Sequence, residues 1–202
     1  MNRRTILVAA LLAGLMTGAH AGVDPGDMAP EFELFGVDYR YHSLAQYADN
    51  EAIVVVFTCN HCPYAVDYED KLVALGNRYQ PRGIQFLAVN PNPADMVPAD
   101  GFPQMQVRAE EKGFPFPYLY DETQQVARAY GATVTPHIFV VRYTMEDGAN
   151  VPRVVYEGAI DNRHEDPDYL ADALEAILAG REIEHVKTAQ FGCTVKYRPD
   201  NH

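Results

Sequence analysis

The sequence predicts an α/β fold organised around a parallel β-α-β unit, and three stretches carry that prediction. Residues 53–58 form an apolar run of strand length with no polar face, the pattern of a parallel strand buried on both sides. Residues 63–80 place Tyr64, Tyr68, Leu72, Leu75 and Tyr79 at helical spacing behind Pro63, a residue suited to the first helical position. After the breaker Pro81-Arg82-Gly83, residues 84–89 repeat the buried-strand pattern, so the two strands are expected to lie parallel.

Between the first strand and the helix stands Cys59-Asn60-His61-Cys62. Such a corner is expected to aim its cysteines outward and to bring at least one sulfur near the unpaired N–H groups of the helix start, where partial positive charge favours thiolate over thiol. His61 adds positive charge when protonated. The corner predicts a Cys59 thiol below the free value of about 8.5, and two cysteines at this spacing can close a small disulfide. The same spacing is half of a zinc site. The third and last cysteine, Cys193, has no second Cys or His pair near it, however, so redox use is preferred to metal binding or to a purely structural disulfide.

A chain of 202 residues with 48% hydrophobic content fits one domain with a core of ordinary size. Residues 1–21 are read as a cleaved export signal: Arg3 and Arg4 precede an apolar stretch too short to span a bilayer comfortably, and Ala19-His20-Ala21 fits a small-x-small cleavage site. Residues 22–202 then form the domain. Arg3-Arg4 weakly resembles a twin-arginine signal, leaving the export route open. Removal of those arginines leaves 14 basic residues against 28 acidic ones, which makes nucleic acid an unsuitable partner and suits a soluble chain. A periplasmic or secreted protein is expected, with no stable membrane insertion once the signal is gone.

Taken in order, the turn-rich residues 24–30 lead into a hairpin of short strands at 32–34 and 39–42. After the β-α-β unit, residues 91–120 are read as an insertion over one end of the sheet, with a short helix at 104–112 and an extended run at 116–120. Asp121 and Gln124 make a capping-box-like start to a helix ended by Gly131. A strand at 138–142, a turn at Glu146-Asp147-Gly148 and a strand at 154–157 follow, then a helix from Asp166-Pro167 that buries Leu170, Ala173, Leu174 and Ile177 and stops at Gly180.

This order of elements resembles the thioredoxin fold, a central mixed sheet flanked by helices. The hairpin, the insertion, and the segments Phe-Thr-Cys-Asn-His-Cys-Pro-Tyr (57–64), Tyr-Leu-Tyr-Asp-Glu-Thr (118–123), Val-Thr-Pro (134–136) and Gly-Cys-Thr-Val-Lys (192–196) resemble the AhpC/TSA-type, peroxiredoxin-like redoxin domains. The likeness runs over about residues 24–196. It implies that Cys59 attacks and Cys62 resolves, with Asn60, His61 and Pro63 around them, and that Pro136 is cis, with Thr135 lending its backbone to a substrate strand and His137 beside it. His137 by itself reads as a surface residue at a strand start. Departures stand out as well: Thr58 replaces the Trp common before the first cysteine in thioredoxins, residues 53–58 hold no carboxylate to accept the Cys62 proton, and Ala52 and Val56 occupy the places of the Pro and Thr of the peroxiredoxin motif.

The function that follows is an exported thiol-disulfide oxidoreductase working by mixed-disulfide exchange, without cofactor or metal, on a protein or small-molecule thiol or disulfide. The electron donor is not specified by the sequence. Alternatives are a thiol peroxidase resolved by Cys62 or Cys193, and a copper-binding module using the cysteines and a histidine. Cys193 is a possible third redox cysteine, an intermolecular link or, preferred on residue type, a buried small apolar side chain.

Overall fold

The computed structural model describes residues 22–199, so the expected leader, residues 1–21, lies outside them. A seven-stranded mixed sheet forms the centre. Its middle is β3 (Ala52–Phe57) and β4 (Ile84–Asn90), parallel and buried at every residue, as their doubly apolar sequences require. Beyond β4 lie β5 (Tyr118–Tyr120), parallel to it, and the hairpin of β1 (Glu33–Gly36) and β2 (Tyr41–Ser43). On the far side of β3 the antiparallel pair β7 (His137–Glu146) and β8 (Ala149–Gly158) completes the order β2-β1-β5-β4-β3-β7-β8.

Alternation along β3 divides the core into two layers. Val54 and Val56 face Tyr68, Leu72 and Tyr79 of the chain after the cysteines, with Met105 of α3 (Phe102–Lys112) and Leu170, Leu174 and Ile177 of α5 (Tyr169–Leu178). Ile53, Val55 and Phe57 face the other way, onto Leu44 and onto Ala127 and Tyr130 of α4 (Gln125–Tyr130). Each helix thus covers one face of the sheet, and the cysteine corner sits at the carboxyl end of β3.

Four expectations are corrected by the fold. The helix over 63–80 is two, α1 (Pro63–Asp67) and α2 (Glu69–Tyr79), broken at Tyr68. There the ring stacks on His164 with centroids 4.3 Å apart and the hydroxyl donates to Asp161 at 2.5 Å, tertiary demands that a 3.6-residue period does not carry. Residues 116–120 are not part of a covering insertion, because Tyr118–Tyr120 joins the sheet beside β4. Asp121 does cap α4, accepting from Ala127 N at 2.8 Å, but Gln124 forms no capping box: it takes a left-handed conformation (φ 63°), and its amide bonds to Pro91 O and Lys196 O to hold the C-terminal tail. The β7–β8 hairpin is longer than its apolar centre suggests, turning on Asp147 (φ 48°) and Gly148 (φ 84°), the two-residue left-handed pair that matches strand twist.

A second, two-stranded sheet pairs β6 (Val134–Thr135) antiparallel with β9 (Cys193–Thr194), Thr135 opposite Cys193. The approach is close: a Cβ on Gly192 would stand 2.1 Å from the Thr135 carbonyl oxygen. Gly192→Ala is therefore expected to cost about 1–3 kcal/mol in thermal unfolding, the range for overpacking a tight contact. An unchanged midpoint would mean that β9 does not rest on Thr135.

Candidate active site

The loop after β3 brings Cys59 and Cys62 together against the loop before β7. Cys59 Sγ lies 3.2 Å from Thr135 Oγ1, and the Cys62 thiol is placed to donate to Thr135 O at 3.1 Å. The Thr135–Pro136 peptide is cis, as the resemblance implied. Both motif cysteines are covered, Cys59 at 2% exposure and Cys62 at 0%, which corrects the expectation that the corner aims them outward. Both are free thiols rather than a disulfide.

Close to Cys59 stands a residue the sequence did not single out. Asp100, in a 3-10 turn at Pro98–Asp100, is fully buried and accepts four hydrogen bonds. Its Oδ1 takes Asn60 N (2.8 Å) and His61 N (3.1 Å), and its Oδ2 takes Asn92 Nδ2 (2.9 Å) and pairs with His61 Nδ1 (2.6 Å). Asn60 is clamped further, its amide donating to Ala99 O and accepting from Tyr118 OH, both at 2.9 Å. Little in the local sequence points to Asp100, since three of its four hydrogen bonds come from Asn60 and His61 about 40 residues earlier; the one available signal is an acid just ahead of α3 in a stretch expected to lie over the sheet end.

This carboxylate rearranges the expected electrostatics. His61 is tied to Asp100, so positive charge on its ring is offset before it reaches a sulfur. The hydrogen bond to Cys62, then burial and then the negative charge of Asp100 push the Cys59 thiol up, which reverses the expected direction. Cys62 is the N-cap of α1, with Pro63 at the first helical position. Hydrogen bonds from the Cys59 thiol, then the Cys193 thiol, the Ala65 N–H and the Thr135 hydroxyl outweigh its burial and lower it to about 4. The two sulfurs titrate as a unit, and the easier first ionisation belongs to the pair.

The remaining candidate residues fall on both sides of expectation. His137 is no surface residue: it is 0% exposed, its ring 4.5 Å from that of Phe139 and its Nε2 3.2 Å from Glu157 Oε1, facing away from the sulfurs into the β7–β8 pair. Cys193 is only half-buried, so the reading as a buried apolar filler is corrected as well; it contacts the cluster of Cys59, Cys62 and Ala65. Potential ligand atoms of Cys59, His61 and Asp100 lie within 4.8 Å of one another, but the Asp100 oxygens are already taken by four donors, so the trio is built as a hydrogen-bond node rather than as an open coordination site.

Comparison with known proteins agrees with this architecture. The model of the AhpC/TSA family matches residues 25–146. The thiol-disulfide oxidoreductase ResA of Geobacillus thermodenitrificans is 30% identical over 149 residues, 68% of this chain and 79% of that one. The crystal structure of an uncharacterized conserved protein from Geobacillus kaustophilus aligns at 36% identity with a TM-score of 0.78, covering 88% of this chain and 94% of the other. That of a hypothetical protein from Sinorhizobium meliloti aligns at 30% identity with a TM-score of 0.77, covering 88% and 96%. A mixed sheet flanked by helices, together with these relatives, defines a thioredoxin-like oxidoreductase of the thiol-disulfide class. Within it, the chain belongs to the AhpC/TSA family.

The charge asymmetry sets the pH behaviour of the reduced protein. Ultraviolet thiolate absorbance is expected to rise with a first midpoint well below that of a free thiol, and Cys62→Ser is expected to remove that step, leaving no thiolate below about pH 8. Because the folded value of Cys62 lies below that of an unfolded thiol, its ionisation stabilises the reduced fold fully above about pH 8.5, a contribution lost as pH falls toward 4. A single thiolate step near pH 8.5 in the wild-type protein would contradict the assignment.

Proposed function

We propose that this chain is an exported thiol-disulfide oxidoreductase in which Cys59 and Cys62 cycle between dithiol and disulfide, and that the site favours oxidation of substrate dithiols. The observation that supports this most is the position of Cys62 at the N-cap of α1, packed with Cys59 and Cys193 in one cluster. A sulfur so placed is a good leaving group, and stabilising the reduced form makes the disulfide the stronger oxidant.

The steps follow from which sulfur carries charge well. A substrate thiolate attacks Cys59 Sγ of the Cys59–Cys62 disulfide; the S–S bond breaks and its electron pair leaves with Cys62, which becomes the stabilised thiolate. The second substrate thiolate then attacks the substrate sulfur of the mixed disulfide, giving the substrate disulfide and releasing Cys59. Cys59 takes up a proton, since burial and Asp100 disfavour a second negative charge there. The substrate loses two electrons and the cysteine pair gains them. Thr135, whose hydroxyl and carbonyl contact Cys59 and Cys62, orients both sulfurs; its backbone is already paired with Cys193 of β9, so the expected strand-like docking of substrate on Thr135 is replaced by the chain's own tail.

Oxidised protein is expected to introduce disulfides into a reduced, unfolded model protein, with Cys62→Ser lowering the rate by at least about a hundredfold, the scale for losing a leaving group, and Cys59→Ser lowering it less. Reduction of insulin disulfides that outpaces oxidation would reverse the assigned direction, and activity retained in both variants would remove the pair from the mechanism. Peroxide consumption separates this reading from a peroxidase: the covered, high-lying Cys59 thiol is expected to react no faster than free cysteine. Export rests on residues 1–21 and is checked by finding the processed chain, beginning at Gly22, outside the cytoplasm.

A further inference from the structure

Deepening that proposed reading, on which it rests, we propose that Cys193 is a third redox thiol that exchanges with Cys62, so that the disulfide moves between Cys59–Cys62 and Cys62–Cys193 and reaches solvent at Cys193. Three features of the fold converge on this residue. Cys59 and Cys62 are covered, whereas Cys193 is half-buried and the most open of the three sulfurs. It packs against the cluster that holds Cys59, Cys62 and Ala65, so all three sulfurs share one pocket of the fold. Its position is fixed rather than accidental: Cys193 pairs with Thr135, Val195 N donates to Thr133 O at 3.0 Å, and only a glycine at 192 lets the strand come so close.

The exchange is balanced within the protein. The Cys193 thiolate attacks Cys62 Sγ in the Cys59–Cys62 disulfide; the new bond forms as the old one breaks, and Cys59 leaves as a thiolate and is protonated. No external oxidant is consumed, because one disulfide replaces another. In the reduced protein the neighbouring Cys62 charge, after burial, holds Cys193 up to about 11; once Cys62 is locked in a disulfide that charge is gone, and Cys193 ionises more readily when it is needed as a nucleophile. A substrate thiolate then attacks Cys193 Sγ, and Cys62 again leaves as the stabilised thiolate.

The surroundings suit a polypeptide thiol. Beside Cys193 lies a groove of about 380 Å³ lined by Tyr64, Tyr68, Val134, Arg163, Phe191 and Gly192. Phe191 packs edge-on to Tyr64 with centroids 6.2 Å apart and carries the Arg163 guanidinium 5.2 Å from its ring centre, giving an apolar floor flanked by that cation and by the Asp67–His164 pair. An extended segment with an apolar side chain next to its cysteine fits that lining.

Oxidation of the full chain with oxidised glutathione, followed by peptide mapping without reduction, tests the idea. Cys59→Ser is expected to yield a Cys62–Cys193 linked peptide, and Cys193→Ser to keep the Cys59–Cys62 link while exchanging with an external dithiol peptide about tenfold more slowly than wild type. Cys193→Ala, which keeps the residue small, with its thermal midpoint measured alongside, separates loss of the thiol from loss of the fold. If Cys59→Ser yields only separate glutathione adducts at Cys62 and Cys193, or if both Cys193 variants exchange at the wild-type rate, the role given to Cys193 is overturned and the Cys59–Cys62 reading stands. Absence of a Cys59–Cys62 link in the wild-type map overturns that underlying reading and this proposal with it.

Discussion

One residue, Thr135, holds the chemistry of this protein in register. Its hydroxyl meets Cys59, its carbonyl oxygen meets Cys62, and its backbone faces Cys193 across the small β6–β9 sheet. The residue that follows is the cis Pro136, and the next begins β7, which is bonded to β3 along five residue pairs. The strand that delivers the cysteines and the strand that delivers Thr135 are therefore neighbours in one rigid ladder. Sulfurs that must come within bonding distance and separate again need such a fixed reference, because buried packing tolerates little drift.

Around that reference the fold supplies charge control from a third direction. The acid that strand β3 lacks comes instead from the turn at Pro98–Asp100, where Asp100 gathers the Asn60 and His61 backbone, the His61 ring and the Asn92 amide. Asn92 in turn accepts from Lys196 N at 2.8 Å, so the tail that carries Cys193 is pinned to the same node. The hydrogen bond between the two sulfurs first, then burial and the Asp100 carboxylate beside Cys59, set two chemically identical side chains apart. That inequality, rather than the presence of two cysteines, gives the pair a direction.

How much of this could be read from the sequence depended on whether the governing contacts were local. Strands β3 and β4 were legible because burial on both faces leaves no polar residue in the run, and the corner was legible because Cys59, Cys62 and Pro63 state it within five positions. Pro136 was found by resemblance, and its geometry agrees. The break at Tyr68 was hidden, since periodicity describes a helix face and not the Asp161 and His164 contacts made almost a hundred residues away. His137 reads as a surface residue by type, yet the fold pairs it with Glu157 and packs it on Phe139. Asp100 was the largest omission: its meaning lies entirely in groups that the fold, not the chain order, brings to it.

The reduction potential of the Cys59–Cys62 pair tests the central claim most directly, because it weighs the stabilised thiolate against the disulfide in a single equilibrium. Titration of the purified full chain against a glutathione buffer is expected to give one two-electron transition, clearly more oxidising than the value of about −270 mV typical of thioredoxin. A potential at or below that value would contradict an anion favoured at Cys62, and the absence of any two-electron transition would contradict a dithiol-disulfide site altogether.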